Sequence, residues 1–203
     1  MWADLSATLT GERVELQPLT EHHADGLRAA AADERISAWL PAQLHDRAGF
    51  DAWFAYALQE RAAEREAPFA TIERASGTIL GSTRFMAIRP QHRCVEIGAT
   101  WLSPAAWQTG ANVEAKRLML GRAFEAGCIR VELKTDSRNQ RSRNAMAALP
   151  AQFEGIHRQH YILPDGSLRD SAWYSVIDRE WPDVRANLER RLAAALARPN
   201  AAS

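Results

Sequence analysis

Between Val95 and Lys116 the chain reads Val-Glu-Ile-Gly-Ala-Thr-Trp-Leu-Ser-Pro-Ala-Ala-Trp-Gln-Thr-Gly-Ala-Asn-Val-Glu-Ala-Lys. An alternating stretch bearing a carboxylate runs into a short loop that holds Gly110, and a helix-forming run follows. The first amides of a helix have no partner inside it and point outward at the positive end of its dipole. Such an end can cradle a phosphate or pyrophosphate, and Gly110 lets backbone approach a ligand. The same residues also make an ordinary helix start with a glycine in its turn, and one glycine does not separate the two readings. His157 and His160 lie three apart in a strand and are expected on opposite sides, so they are not read as ligands of one ion, and no metal is expected. His22-His23, at a helix start, is read as solvated. Cys94 and Cys128 have no metal-type spacing and are read as small core residues.

The elements that would position these groups follow from periodicity and turn residues. Arg13 to Leu19 alternates and reads as a strand, Glu21 to Ala32 as a helix with Thr20 as its cap, and Asp46 to Glu66 as a second helix. Phe69 to Ala75 and Ile79 to Arg89 are strands around Ser76-Gly77, and Arg93 to Leu102 is a third. A long helix is expected over Thr109 to Ala126, a strand over Ile129 to Thr135 and a short helix over Ser142 to Leu149. Phe153 to Leu163 and Ser167 to Ile177 form a hairpin around Pro164-Asp165-Gly166. A terminal helix over Trp181 to Ala197 opens on Pro182 and ends in an Ala-rich tail that looks frayed. This order makes an α+β mixed sheet rather than regular strand–helix alternation, and no G-x-G-x-x-G follows a strand, which argues against a dinucleotide fold.

The 203 residues suit a single domain, residues 1–203, with about 183–203 as a C-terminal helical tail. Lys+Arg and Asp+Glu balance at 25 each, which gives no basic excess for nucleic acid or an anionic membrane. Two cysteines make no disulfide framework and fit a reducing cytoplasm. The start, Met1 to Ser6, has no basic residue and no apolar run, so no secretory leader is expected. No apolar run suggests a membrane span.

Several motifs together resemble the GNAT N-acetyltransferase superfamily, and within it the branch of ribosomal-protein N-terminal acetyltransferases and their relatives. Arg13 to Leu19 looks like the family's first strand; Gly81-Ser82-Thr83-Arg84 and Val95-Glu96-Ile97-Gly98 look like its central strands. Asn139-Gln140-Arg141-Ser142 matches its N-x-x-S element. Phe153-Glu154-Gly155, Pro164-Asp165-Gly166 and Ala172-Trp173-Tyr174-Ser175 match its closing hairpin. The resemblance implies a mostly antiparallel twisted sheet with a central V-shaped splay, flanked by helices, and acetyl-CoA as cosubstrate. It would lie between the strand ending near Leu102 and the strand ending near Asp136. Backbone near Leu102 would pair with the pantetheine arm, and the loop Gln108, Thr109, Gly110, Ala111, Asn112 and Val113 would hold the pyrophosphate. Asn139 would contact the cofactor arm, and Ser142 would sit near its sulfur.

Direct attack of an amine on a thioester needs a base, an oxyanion donor and a hydrogen bond or proton for the leaving thiolate. Glu96 is the candidate base. On a regular strand it shares a face with Gly98, Thr100 and Leu102, with Val95, Ile97, Ala99 and Trp101 on the other. The alternative for Glu96 is a solvated or ion-paired strand residue. Ser142 is the candidate donor to the thiolate, with a helix cap as its alternative; Asn139 has a turn role as its alternative. Arg84, Trp101 and Tyr174 could line the acceptor pocket, against surface charge for Arg84 and sheet packing for the other two. Arg138, Arg141 and Arg143 could meet CoA phosphates or be solvated.

The chain departs from the family at three places. Trp107 and Asn112 occupy loop positions that are usually basic or amide and small. Met146 stands where many members have a proton-donating Tyr. Pro150 stands where a Gly normally ends the helix at positive φ, so a different helix exit and a shifted following strand are expected. Acceptors consistent with the resemblance are a protein N-terminus or a small-molecule amine. A non-catalytic acyl-CoA-binding protein is the alternative function, and a homodimer is compatible with the open sheet edges.

Overall fold

The computed structural model describes residues 2–163 and 165–197; Pro164 and the last residues of the Ala-rich tail lie outside the described residues. The strands are β1 (Leu9–Thr10), β2 (Val14–Pro18), β3 (Ala67–Glu73), β4 (Ile79–Arg89), β5 (Cys94–Leu102), β6 (Arg130–Asp136), β7 (Gln152–Ile162) and β8 (Leu168–Ile177). They form one sheet in the order β1-β2-β3-β4-β5-β6-β8-β7. Each neighbouring pair is antiparallel except β5 and β6, which run parallel. The helices are α1 (Trp2–Leu5), α2 (Ala24–Ala30), α3 (Arg47–Ala62), α4 (Ala111–Glu125), α5 (Gln140–Ala148) and α6 (Trp181–Leu196).

Alternation along the strands gives the sheet two apolar faces, each covered by helices. On one face Val95, Ile97, Val131 and Leu133 pack with Ala115, Met119 and Leu120 of α4 and Leu188 of α6. On the other, Ala70 and Trp101 pack with Leu27 of α2 and with Phe50 and Ala57 of α3. Helix α4 is fixed to the sheet edge by a buried carboxylate. Glu114 accepts from the amides of Glu12, Arg13 and Val14 at 2.7, 2.8 and 2.7 Å. Gly11 leaves room for this contact, since a Cβ there would lie 2.4 Å from Glu114 Cδ.

The structure departs from the sequence expectations in informative places. The first helix begins as a 3-10 turn, Glu21–His23, before α2. His23 is buried rather than solvated, because its Nδ1 accepts from the Thr20 amide at 3.0 Å and caps that turn. A 3-10 segment, Glu34–Trp39, and the short α1 and β1 carry too little periodicity to be foreseen. Helix α3 stops at Ala62, four residues before the expected Glu66, and Glu64 takes φ 56° in the exit. Asp46, expected as its first residue, stands just outside it as the cap, accepting from the Gly49 amide at 2.9 Å.

The exit from α5 contradicts the expectation for Pro150. Ala151 N donates to Met146 O at 3.1 Å, the long bond of a glycine-type helix stop. Pro150 is carried through that stop at φ 23°, far from the roughly −65° its ring favours. The usual turn is kept, and the proline bears the strain.

Candidate active site

Strands β5 and β6 pair only at Cys94–Arg130, Val95–Val131 and Glu96–Glu132. Beyond these they separate, and β6 pairs with none of the residues from Ile97 to Leu102. The result is a V-shaped opening in mid-sheet, with strand edges able to hydrogen-bond an extended ligand. A bulge shapes its near wall. Ser82 pairs with Trp101 and Arg84 with Gly98, so two residues of β5 oppose one of β4, and Ala99 takes φ 46°. This inverts the expected alternation past Gly98. Trp101 joins Glu96 and Gly98 on the α3 side, while Thr100 and Leu102 turn to α4, where Leu102 packs with Val95 and Ile97.

The opening leads to the start of α4. Gly110 is its N-cap at φ 92°, and the first bond along the helix runs from Glu114 N to Gly110 O at 3.0 Å. The amides of Asn112 and Val113 therefore point out of the helix end. Thr109 Oγ1 donates to Ala106 O at 2.9 Å, and Gln108 takes φ 62°, which folds the loop under this end. Asn112 Oδ1 is buried without a partner. The outward amides of the α4 end and the parted strand edges fit what acetyl-CoA requires, donors for a pyrophosphate and free backbone for an extended arm. Trp107, a departure from the family loop, has a defined task. Its Nε1 donates to Leu102 O at 2.8 Å, and its ring lies under the Arg141 guanidinium at 4.0 Å and near that of Arg35 at 5.3 Å. The Leu102 carbonyl, expected to pair with the pantetheine arm, is thus already engaged by Trp107.

Across the opening, Asn139 caps α5 by accepting from the Ser142 amide at 3.0 Å. The cap is therefore Asn139, and the cap alternative for Ser142 falls; Ser142 is a half-buried residue of the first turn. Arg138 is held by Asp136 at 2.8 Å, whereas Arg143 donates to Tyr174 Oη and Ser137 O, both at 3.2 Å. Of the three arginines, Arg141 rests on Trp107 beside the α4 end.

On the α3 side, Glu96 is 1 % exposed and its Oε2 lies 2.6 Å from Lys134 Nζ. Burial holds its carboxyl above the usual carboxylate range, against the pull of Lys134. The carboxylate leans over Gly98, where a Cβ would lie 2.8 Å from Oε1 and 2.6 Å from Met86 Sδ. Lys134 was not singled out from the sequence. The parallel pairing of Glu96 with Glu132 puts Lys134, two residues on, on the same face; that register was the missing signal. Arg84 is 2 % exposed, so surface charge is the wrong reading; its Nη1 donates to Glu66 at 2.7 Å. Tyr174 lies in the other core with α4 and so is separated from Arg84 and Trp101 by the sheet.

His157 and His160 share a face, contrary to expectation. A bulge in β7, with Gln159 at φ 51°, brings their ring centroids within 5.7 Å, both beside Trp173. Among the described residues, no group of three or more His, Cys, Asp or Glu side chains could hold a metal ion. Among those residues also, no helix is long and apolar enough to cross a membrane. A recess of about 420 Å³ lined by Glu60, Arg65, Glu66 and Pro90 lies at the other end of β4 from the opening.

A sheet parted between two parallel strands, with a helix end at its mouth, defines an acyl-CoA-binding fold of the acetyltransferase type. A family model described as an acetyltransferase (GNAT) domain matches residues 13–151, and the chain belongs to this family, whose members transfer acyl groups from acetyl-CoA. A GCN5-related N-acetyltransferase from Brucella melitensis is 32% identical, with a TM-score of 0.84 over 92% of this chain and 86% of that one. Two structures share the fold at lower identity. RimJ of Mycobacterium smegmatis, in complex with CoA-disulfide, is 21% identical, with a TM-score of 0.77 over 95% and 96% of the two chains. The ribosomal-protein-S5-alanine acetyltransferase of Vibrio fischeri is 17% identical, with a TM-score of 0.68 over 86% and 98%. No curated protein matches the chain.

Proposed function

We propose that the protein is an N-acetyltransferase that moves the acetyl group of acetyl-CoA to a primary amine, of a protein N-terminus or a small molecule, by direct attack. The observation that carries this reading is the parting of β5 from β6 beyond Glu96, with a buried carboxylate at its apex and the free amides of α4 at its mouth. Gln108, Thr109, Gly110, Ala111, Asn112 and Val113 would hold the pyrophosphate, and Asn139 the cofactor arm. Glu96 would take the proton of the attacking amine, directly or through a water, and Lys134 keeps it poised. A β5 amide near Leu102 would meet the oxyanion, and Ser142 the leaving thiolate. The reading extends to one domain over the whole chain, acting in the cytoplasm, with a homodimer as an assembly the open β7 edge permits.

The test has two arms. Thermal shift with acetyl-CoA, CoA, ATP and NAD reads the cofactor: at about 100 times its dissociation constant, a ligand of the folded state adds roughly 2.7 kcal/mol. Release of free thiol with a panel of amines reads turnover. A shift with CoA species and no thiol release with any amine would make the protein an acyl-CoA-binding module instead; no shift with any CoA species would overturn both readings.

A further inference from the structure

The chain has 25 basic residues, and two of them are lysines, Lys116 and Lys134. The others are arginines, which keep their proton in a protein, whereas a buried lysine gives its proton up readily. Both lysines stand at the opening, one on each face of β5. Lys134 pairs with Glu96 on the α3 side. Lys116 reaches β5 from the α4 side, is 9 % exposed, and donates to Thr100 Oγ1 at 2.8 Å. Thr100 carries that contact to the opening. Of the β5 residues only Ala99 and Thr100 are not buried, and both belong to the stretch that β6 leaves unpaired. The Thr100 hydroxyl also meets Thr83 Oγ1 at 2.8 Å and Gly98 O at 3.4 Å, so it accepts from Lys116 and still has a proton to donate.

The surroundings of Lys116 leave its ammonium without a carboxylate of its own among the described residues. Glu96 acts on it through the sheet but is itself held by Lys134. Strand β4 offers the neutral Thr83, β6 the apolar Val131 and Leu133, α5 Met146 and α6 Leu188. On α4 itself, Glu114 is bound to the amides of Glu12, Arg13 and Val14, with Arg117 beside it at 3.9 Å. Burial therefore lowers Lys116 from 10.5 to about 7. That acidity answers a need of acyl transfer. Ser142 offers the departing sulfur a hydrogen bond, but an alcohol is too weak an acid to part with its proton there. A lysine near 7 gives its proton downhill to a thiolate whose thiol lies at about 8.5.

We propose that Lys116 is the proton source for the departing thiolate, acting through the Thr100 hydroxyl on the face of β5 opposite Glu96. The proposal rests on the N-acetyltransferase reading. As the C–S bond breaks and its electron pair goes to sulfur, Thr100 Oγ1 gives its proton to the sulfur and takes one from Lys116. Lys116 is left neutral and regains a proton from solvent, while Glu96 releases to solvent the proton it took from the amine. The two faces of one strand thus serve the two ends of the same transfer.

The first arm of the test needs no turnover. Protein labelled with ¹³C at lysine shows two side-chain signals, and either Lys116→Met or Lys134→Arg assigns both. Lys116 is titrated in the complex with CoA and in that with desulfo-CoA, which lacks the sulfur. With CoA the Lys116 titration should gain a second step at higher pH, because ammonium and thiol there share one proton; with desulfo-CoA it should show one step. Identical titrations in the two complexes, with CoA stabilising the protein in a thermal melt, overturn the proposal alone. No stabilisation by CoA overturns the N-acetyltransferase reading and the proposal with it. The second arm is kinetic. The native rate should exceed that of Lys116→Met by about 10²-fold at low pH, and this ratio should shrink as pH rises through the Lys116 titration, since only the protonated lysine donates. The ratio cancels the ionisation of the acceptor. Thr100→Val should lose rate with the same pH dependence. A ratio that stays constant with pH overturns the proposal; if Lys116→Met does not fold, Thr100→Val and the paired titrations decide it.

Discussion

Replacing Pro150 with glycine should make this protein more stable, although proline-to-glycine changes ordinarily do the reverse. Proline at φ 23° sits nearly a right angle from the geometry of its ring, and a residue held in such a region costs about 1–3 kcal/mol. Glycine adopts positive φ freely. It also restores an amide at the position that normally donates to the carbonyl of Ala147, one modest hydrogen bond of about 0.5–1.5 kcal/mol. Against this, the unfolded chain gains freedom worth about 1–2 kcal/mol when a proline becomes a glycine. The balance favours the variant by about 1–2 kcal/mol. At roughly 2–4 °C per kcal/mol for a chain of this size, Tm should rise by about 3–6 °C, read by calorimetry or far-UV circular dichroism. Pro150→Ala is the control: it gives up most of the same unfolded-state restriction, but its Cβ still resists positive φ, so it should lag Pro150→Gly by about 1 kcal/mol. A Tm for Pro150→Gly at or below that of the native protein would refute the strained-stop account of this turn.

Other outcomes are equally specific. Glu96→Gln should lower kcat/KM by about 10²-fold or more. The native rate should fall on acidification through a pKa above the usual carboxylate range, because burial raises it and only the deprotonated form accepts a proton; the acid limb should vanish in the variant, and an unchanged profile would remove Glu96 as the base. Gly98→Ala should depress activity without unfolding the protein, since its Cβ would displace Glu96 Oε1 and Met86 Sδ, the ends of flexible side chains; steady-state rates beside a thermal melt check this. Lys116 is buried, donates to Thr100 Oγ1 at 2.8 Å, and is lowered by burial from 10.5 to about 7. The unfolded state binds more protons between those values, so stability should climb as pH rises from about 7 toward 10.5, with the full penalty present below 7. Lys116→Met should flatten that climb, and a climb of the same size in the variant would show that another group is responsible.

The sequence made the layout legible because the layout depends on periodicity. The strand from Ile79 to Arg89 after its Ser76-Gly77 turn, the start of α3 beside Asp46 and the Gly110 turn each reflect local physics, and each lies within a residue or two of where it was expected. What periodicity hides is the place where it breaks. The bulge at Ala99 inserts one residue into β5 directly after Gly98, and a lone glycine in a strand does not tell a bulge from a close approach of backbone or ligand. Every face assignment beyond it is inverted, which moved Trp101 to the side of Glu96. The bulge at Gln159 did the same to the two histidines of β7. Arg84 and Lys134 were misjudged or missed for a related reason: their burial and pairing depend on which strand lies alongside, and strand order is a long-range property.

These breaks gather where the chemistry is proposed. A regular sheet would pair β5 with β6 along their whole length and leave no backbone for a ligand. Parting them leaves inner strand edges unpaired, a cost the fold can bear only if something else uses those groups. The bulge at Ala99 then turns Thr100 and Leu102 toward α4 while keeping Glu96, Gly98 and Trp101 toward α3. In the proposed reading, one strand thus offers a cofactor side and an acceptor side within a few residues. The arrangement demands a residue without a side chain at Gly98, because Glu96 and Met86 already fill the space a Cβ would need. Local irregularity, buried charge and the absence of a side chain are therefore one design, and Gly98→Ala tests its centre: if the rate survives that change intact, Glu96 does not act from the position in which it is found.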